Sequence, residues 1–136
     1  MDPIRLFTII SWLLLPTVMF GGYSLLRLLA QGNTWLTRER ITAFRAGHAH
    51  AGVLLVLSLV YYTYLAQTTF ADSLKLIACI GLVVGILAQS GGFFLHMVMG
   101  GKSGRFSVGN SITVLGAVLL ALTILLLVYG LIVMHV

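Results

Sequence analysis

Polar and apolar positions along this chain arrive in long blocks rather than with the short period of an amphipathic surface helix. Four predominantly apolar blocks, about 4–29, 44–65, 74–98 and 112–134, are separated by short polar segments. Each supplies the roughly 20 apolar residues that a helix needs to cross a bilayer. Hydrocarbon offers no partner to backbone N–H and C=O groups, so such blocks must satisfy them internally, as helices rather than open strands. The pattern predicts an all-α fold: an integral membrane four-helix bundle forming a single domain over residues 1–136.

The interruptions refine this layout. Pro16 followed by Gly21-Gly22 predicts a bend in helix 1 near mid-membrane that could make room for something beside it. In "QGNTWLTRER" the helix 2 backbone is expected to begin ahead of its apolar block, with Trp35 and Leu36 at the interface. "QTTFADS" offers Asp72 or Ser73 as the N-cap of helix 3, and "GGKSGRFSVGN" offers Asn110 for helix 4. Helix 4 is Leu-rich and nearly featureless, which suits a lipid-facing or packing role. The first apolar block is too long for a signal-peptide core and lacks a basic leader, so helix 1 is expected to stay in the protein.

Composition agrees with a membrane protein: 60% of residues are hydrophobic and 8% charged, with mean hydropathy +1.08. The net charge of +5 changes the picture only through its distribution. Arg27, Arg38, Arg40, Arg45, Lys102 and Arg105 fall at one end of the predicted spans, Arg5 and Lys75 at the other. That asymmetry argues against nucleic acid and for membrane lipid. By the positive-inside rule the 30–44 and 99–110 loops are cytoplasmic and both termini outside, with a bacterial inner membrane as the expected location. The lone Cys79, inside helix 3, reads as small core filler.

Candidate chemistry is concentrated in helices 2 and 3. A histidine inside a span is a functional hypothesis by default. His50 and His96 fall roughly 6–9 Å below the same boundary at 1.5 Å per residue, on sequential antiparallel helices, so they can share one site. His48 and His50 cannot both face one small ion, because residues two apart on a helix point about 200° apart. With no intramembrane carboxylate or usable Cys, a zinc or copper centre on "HAH" is disfavoured. One histidine faces the site and the other a neighbour, and His135 is expected to be solvated near the chain end.

On helix 3, Gly85, Gln89, Gly92 and His96 are spaced 4, 3 and 4 and line one narrow face. Helix packing alone would explain the glycines, but not Gln89 at depth on the same stripe. Ser90, Phe93 and Phe94 complete an apolar-walled region of the kind that holds small molecules. On helix 2, Gly47, Ala51 and Gly52 read as clearance around His50 for a flat cofactor. Haem b wants an axial His, apolar walls and cations for its propionates; Arg45 and Arg105 are candidate propionate partners. A c-type attachment is excluded, because the one Cys lies outside any C-x-x-C-H motif.

"FRAGHAHAG" and "QSGGFFLH" resemble two segments of the small four-helix membrane isomerases, the styrene oxide isomerase and hydroxylaminobenzene mutase group. His50-Ala51-Gly52 matches the isomerase His-Ser-Gly, and Gly92-Phe93 matches its Gly-Phe. The Asn-Gly pair that both relatives carry six residues beyond the histidine is Val56-Leu57 here, and the Asn and Tyr of their helix 3 segment fall on Ser90 and Phe94. The resemblance implies a trimer with haem b at a subunit interface and His50 as axial ligand. It implies an iron that acts as a Lewis acid in redox-neutral isomerisation of a small hydrophobic epoxide or hydroxylamine.

On that expectation Gln89, Ser90 and Tyr61 are the candidate catalytic residues around an open coordination position. His50, His96, His48, Gly47, Gly92, Arg45 and Arg105 are the candidate cofactor-binding set. The sequence leaves two alternatives open: a haem protein for electron transfer or gas sensing, in which His50 and His96 ligate one iron, and an accessory subunit of a larger membrane complex.

Overall fold

The computed structural model describes residues 2–99 and 107–134. They form four helices, α1 (Pro3–Ala30), α2 (Arg38–Gln67), α3 (Asp72–Val98) and α4 (Val108–Val133). All four are long and apolar enough to cross a membrane, so the chain is an all-α, multi-pass integral membrane bundle. Exposed side chains such as Met19, Phe20, Leu13, Leu115 and Tyr129 clothe its outside. In water that surface would be a liability, and in a bilayer it is the required one.

The helix ends follow from local capping. Asp2 accepts from the Ile4 N–H at 3.1 Å, with Pro3 in the first turn. Thr37 accepts from Arg40 N–H at 3.4 Å, which starts α2 six residues before its apolar block. The cap of α4 is Ser107, accepting from Asn110 N–H at 3.3 Å, so Asn110 lies inside the helix rather than capping it. Helix α3 starts at Asp72 after Ala71 with no side-chain cap, and neither Asp72 nor Ser73 serves as one. Helix α1 ends on Gly32 at φ 62, a conformation that favours glycine, with Gly32 N–H on the Leu29 carbonyl.

Arg40 closes this end of the bundle. Its Nη1 donates to the Trp35 carbonyl at 2.9 Å and its Nε to the Met97 carbonyl at 3.2 Å, while the guanidinium lies 4.3 Å from the Trp35 ring centroid. One cation thereby satisfies a carbonyl at the negative end of α3 and ties the 31–37 loop to it.

The most extensive helix interface is α3 with α4, followed by α2 with α3 and α1 with α2. The backbone of α1 makes no close approach to α4, and α1 is peripheral, burying only Ser11 and Leu25. Glycines make the α3–α4 contact close. A Cβ at Gly85 would meet Leu120, one at Gly92 would meet Thr113 and the Gly109 carbonyl, and one at Gly116 would meet the backbone of Ala88 and Gln89. The core gathers Leu55, Tyr62, Leu65, Cys79, Leu82 and Ile86 around this seam. Ser11 and Ser58, both fully buried, link α1 to α2 with their hydroxyl oxygens 2.9 Å apart. Ser58 also lies 2.7 Å from the Leu55 carbonyl. A carbonyl only accepts, so the Ser58 proton goes there and Ser11 donates to Ser58.

Candidate functional site

The two histidines of "HAH" point to opposite sides of α2. His50 packs its ring 5.1 Å from that of Phe93 on α3. His48 stacks on Phe44 at 5.7 Å and lies against Gly21 and Gly22 of α1. Unbroken helix over both positions dictates this separation.

His50 carries a specific electronic arrangement. Its Nδ1 lies 2.8 Å from the carbonyl of Ala46, one turn earlier. The carbonyl can only accept, so Nδ1 bears a proton, and in the neutral form of the ring the lone pair is on Nε2. Metal-ligating histidines are held in this way, with the second nitrogen on a carbonyl or carboxylate that fixes tautomer and ring. His50 is half-buried, and exposed Ala49, Val53 and Leu57 continue the α2 surface beside it. His50 thus sits at the edge of an exposed apolar strip of α2.

One turn nearer the basic end, a cavity of about 350 Å³ opens between α2, α3 and α4. Arg38, Thr42 and Ala46 line it from α2, Phe93 and His96 from α3, and Asn110 from α4. His50 is not in its lining; Phe93 stands between them, touching the His50 ring and walling the cavity. The shared depth of His50 and His96 therefore becomes a common neighbour rather than a common wall. His96 Nδ1 lies 2.8 Å from Ser107 Oγ. A hydroxyl can donate or accept, so that bond leaves the His96 tautomer open.

The small-residue clearance has a different owner from the one expected. A Cβ at Gly47 would lie 3.0 Å from the Phe93 Cβ and 3.1 Å from the Ser90 carbonyl, so Gly47 brings α2 onto α3 instead of making room for a flat cofactor. The space at Gly92 is filled by Thr113 and Gly109 of α4. The Gly85, Gln89, Gly92, His96 stripe is the α3–α4 seam: Gly116 presses on the Gln89 backbone, and Thr113 Oγ1 lies 3.3 Å from the Gln89 carbonyl. Without lipid to exclude it, a short side chain on α4 finds its closest fit against a helix that lacks its own.

The candidate catalytic side chains do not converge either. The Tyr61 hydroxyl donates to the Thr123 carbonyl at 3.0 Å in the core, three turns from His50. Ser90 is buried, its hydroxyl without a partner among the described residues, beside the α2 contact and outside the cavity lined by His96. Tyr61→Phe is accordingly expected to cost about 0.6–1.5 kcal/mol of stability. Its thermal unfolding midpoint in detergent should fall slightly while the visible absorption spectrum of the protein stays that of the wild type.

Among the basic residues, Arg45 is exposed near this end and Arg40 is engaged as described, while Lys102, Arg105 and His135 lie outside the described residues. Among the described residues Arg38 is the cation that lines the cavity, with Glu39 beside it in the lining. Sequence reasoning counted it with the other positive residues and could not single it out; the signal was its spacing to Thr42 and Ala46, one stripe of α2 ending at His50. Phe93 was also available as a neighbour by depth. Among the described residues no three His, Cys, Asp or Glu side chains come together as a metal-holding group, so any metal here would rely on one or two protein ligands.

No family model, curated protein or solved structure matches the chain.

Proposed function

We propose that this chain is a haem b-binding membrane protein with His50 as the axial ligand. The observation that carries the reading is the Nδ1–H bond to the Ala46 carbonyl at 2.8 Å, which in the neutral ring leaves the lone pair on Nε2. Phe93 gives the ligand an aromatic neighbour at 5.1 Å, and Arg38, which lines the cavity on the far side of Phe93 together with Glu39, is a cation toward the basic end that could reach a propionate. Arg45, exposed at the same end, is a second cation within this reading.

Bound ferric haem would supply a Lewis acid suited to redox-neutral isomerisation of a small hydrophobic epoxide or hydroxylamine, the activity that the likeness to the four-helix isomerases implies. The chain's own part is to orient the imidazole, to keep water away with Phe93 and the apolar strip of α2, and to neutralise anionic groups at the surface. Since Ala49, Val53 and Leu57 are exposed next to His50, a second copy of the chain is the natural cover, in keeping with a homotrimer. The positive-inside distribution of Arg and Lys favours a cytoplasmic His-side face in a bacterial inner membrane.

The test is an absorption spectrum of protein purified in detergent from haem-replete cells, oxidised and reduced. A Soret band at near-stoichiometric haem, with high-spin features, is the expected result. Protein that carries no haem and takes up none on titration with haemin would overturn the reading.

A further inference from the structure

Behind Pro16, α1 gives up side-chain volume at Gly21 and Gly22, and the ring of His48 occupies that relief. Its Nε2 is 3.0 Å from where a Cβ at Gly22 would stand, and its Nδ1 is 4.0 Å from the same point at Gly21. On its other flank the ring stacks on Phe44, which in turn meets Phe94 edge-on at 5.4 Å. These three rings, with Ala51 of α2 and Thr17, Val18 and Gly21 of α1, line a cavity of about 250 Å³ that is open on one side to the surface of the bundle. It lies across α2 from His50, and nothing about it depends on a haem.

The lining is apolar except for two side chains. Thr17 Oγ1 already donates to the Leu14 carbonyl at 2.6 Å. His48 has no hydrogen-bond partner among the described residues; its ring contact with Phe44 is the interaction it makes. An imidazole carries both a donor and an acceptor, and leaving them unpaired against hydrocarbon is costly. Water is a poor remedy in so apolar a space, because it needs two to four polar partners. An apolar protein cavity of about 150 Å³ takes up benzene. The larger volume beside His48 has room for a ring with a small substituent.

We propose that this cavity is a binding site for a small neutral ring compound carrying one hydroxyl, a phenol or cyclic alcohol drawn from the bilayer. The hydroxyl bonds to the His48 imidazole, and the ring lies against Phe44 and Phe94. An acyl chain would fill the same volume but leave the imidazole without a partner, so the hydroxyl is what distinguishes the proposed ligand from the surrounding lipid.

The probes are 4-fluorophenol and fluorobenzene, titrated against the protein in lipid nanodiscs and followed by fluorine NMR. The phenol is expected to bind saturably and about ten-fold more tightly than fluorobenzene, the worth of one net hydrogen bond. His48→Leu should bring the two probes to near-equal affinity. Gly21→Leu should abolish saturable binding of both, because a side chain there projects beside His48 without meeting backbone. Ala51→Leu fills the cavity from the opposite helix and serves if Gly21→Leu fails to fold. Linear partitioning indistinguishable from empty nanodiscs would overturn the proposal. So would a phenol preference that survives His48→Leu, or saturable binding that survives a folded cavity-filling variant.

Discussion

His50→Ala protein should emerge from purification without a Soret band, and added imidazole should restore part of it. Because the Ala46 carbonyl can only accept, the 2.8 Å contact places hydrogen on Nδ1 and the lone pair on Nε2. Removing the side chain removes the axial donor, while a small free imidazole can re-enter the vacated volume. His96→Ala should behave differently. Its ring sits in the neighbouring cavity with Nδ1 on Ser107, separated from His50 by Phe93. We expect it to retain haem with an unchanged high-spin spectrum. If wild type were low-spin and became high-spin in His96→Ala, two histidines would share the iron and the electron-transfer reading would replace the isomerase one. Haem retained without spectral change in His50→Ala would remove His50 from the iron altogether.

The second large effect is structural. Gly116→Ala should destabilise the bundle by about 1–3 kcal/mol or more, the usual range for overpacking. The added methyl would press on the Gln89 backbone N and Cα, with the Ala88 carbonyl carbon at 2.9 Å. These are main-chain atoms in the middle of α3, so no rotamer change relieves the clash and the two helices must move apart. The same separation would loosen Gly92 against Thr113 and Gly109 against Gly92, where an added Cβ at Gly109 would lie 2.6 Å from the Gly92 carbonyl oxygen. Gly91→Ala is the control. A Cβ at Gly91 meets nothing within 4 Å, and helix propensity alone favours alanine by up to about 1 kcal/mol. Thermal unfolding in one detergent should therefore lower the Gly116→Ala midpoint by several degrees and leave Gly91→Ala at or above wild type. Equal midpoints for Gly116→Ala and wild type would mean that the α3–α4 seam is looser than these contacts imply.

Much of the fold is legible in the chain because the bilayer makes one demand of every span. Blocks of apolar residues identified four helices. Helix starts were less legible. Thr37 and Ser107 cap from outside the apolar blocks, and hydropathy carries no signal for a hydroxyl aimed at a backbone N–H. The opposed directions of His48 and His50 were legible as well, since helical geometry fixes them locally.

Partnership between helices was not. The stripe from Gly85 to His96 reads equally as a pocket wall or a packing seam, and only the presence of Thr113, Gly116 and Leu120 opposite it decides for the seam. Tyr61 looks like a polar group available for chemistry until the Thr123 carbonyl claims its hydroxyl. His48 looks like a bystander until the gap beside α1 is visible. By itself the sequence determined that this is a multi-pass helical membrane protein and which residues share a helix face, because both follow from the solvent and from a 3.6-residue repeat. Tertiary structure decided which face meets which. In hydrocarbon, apolar surfaces are nearly equivalent, and the choice falls to close-range fit and to a few hydrogen bonds between helices.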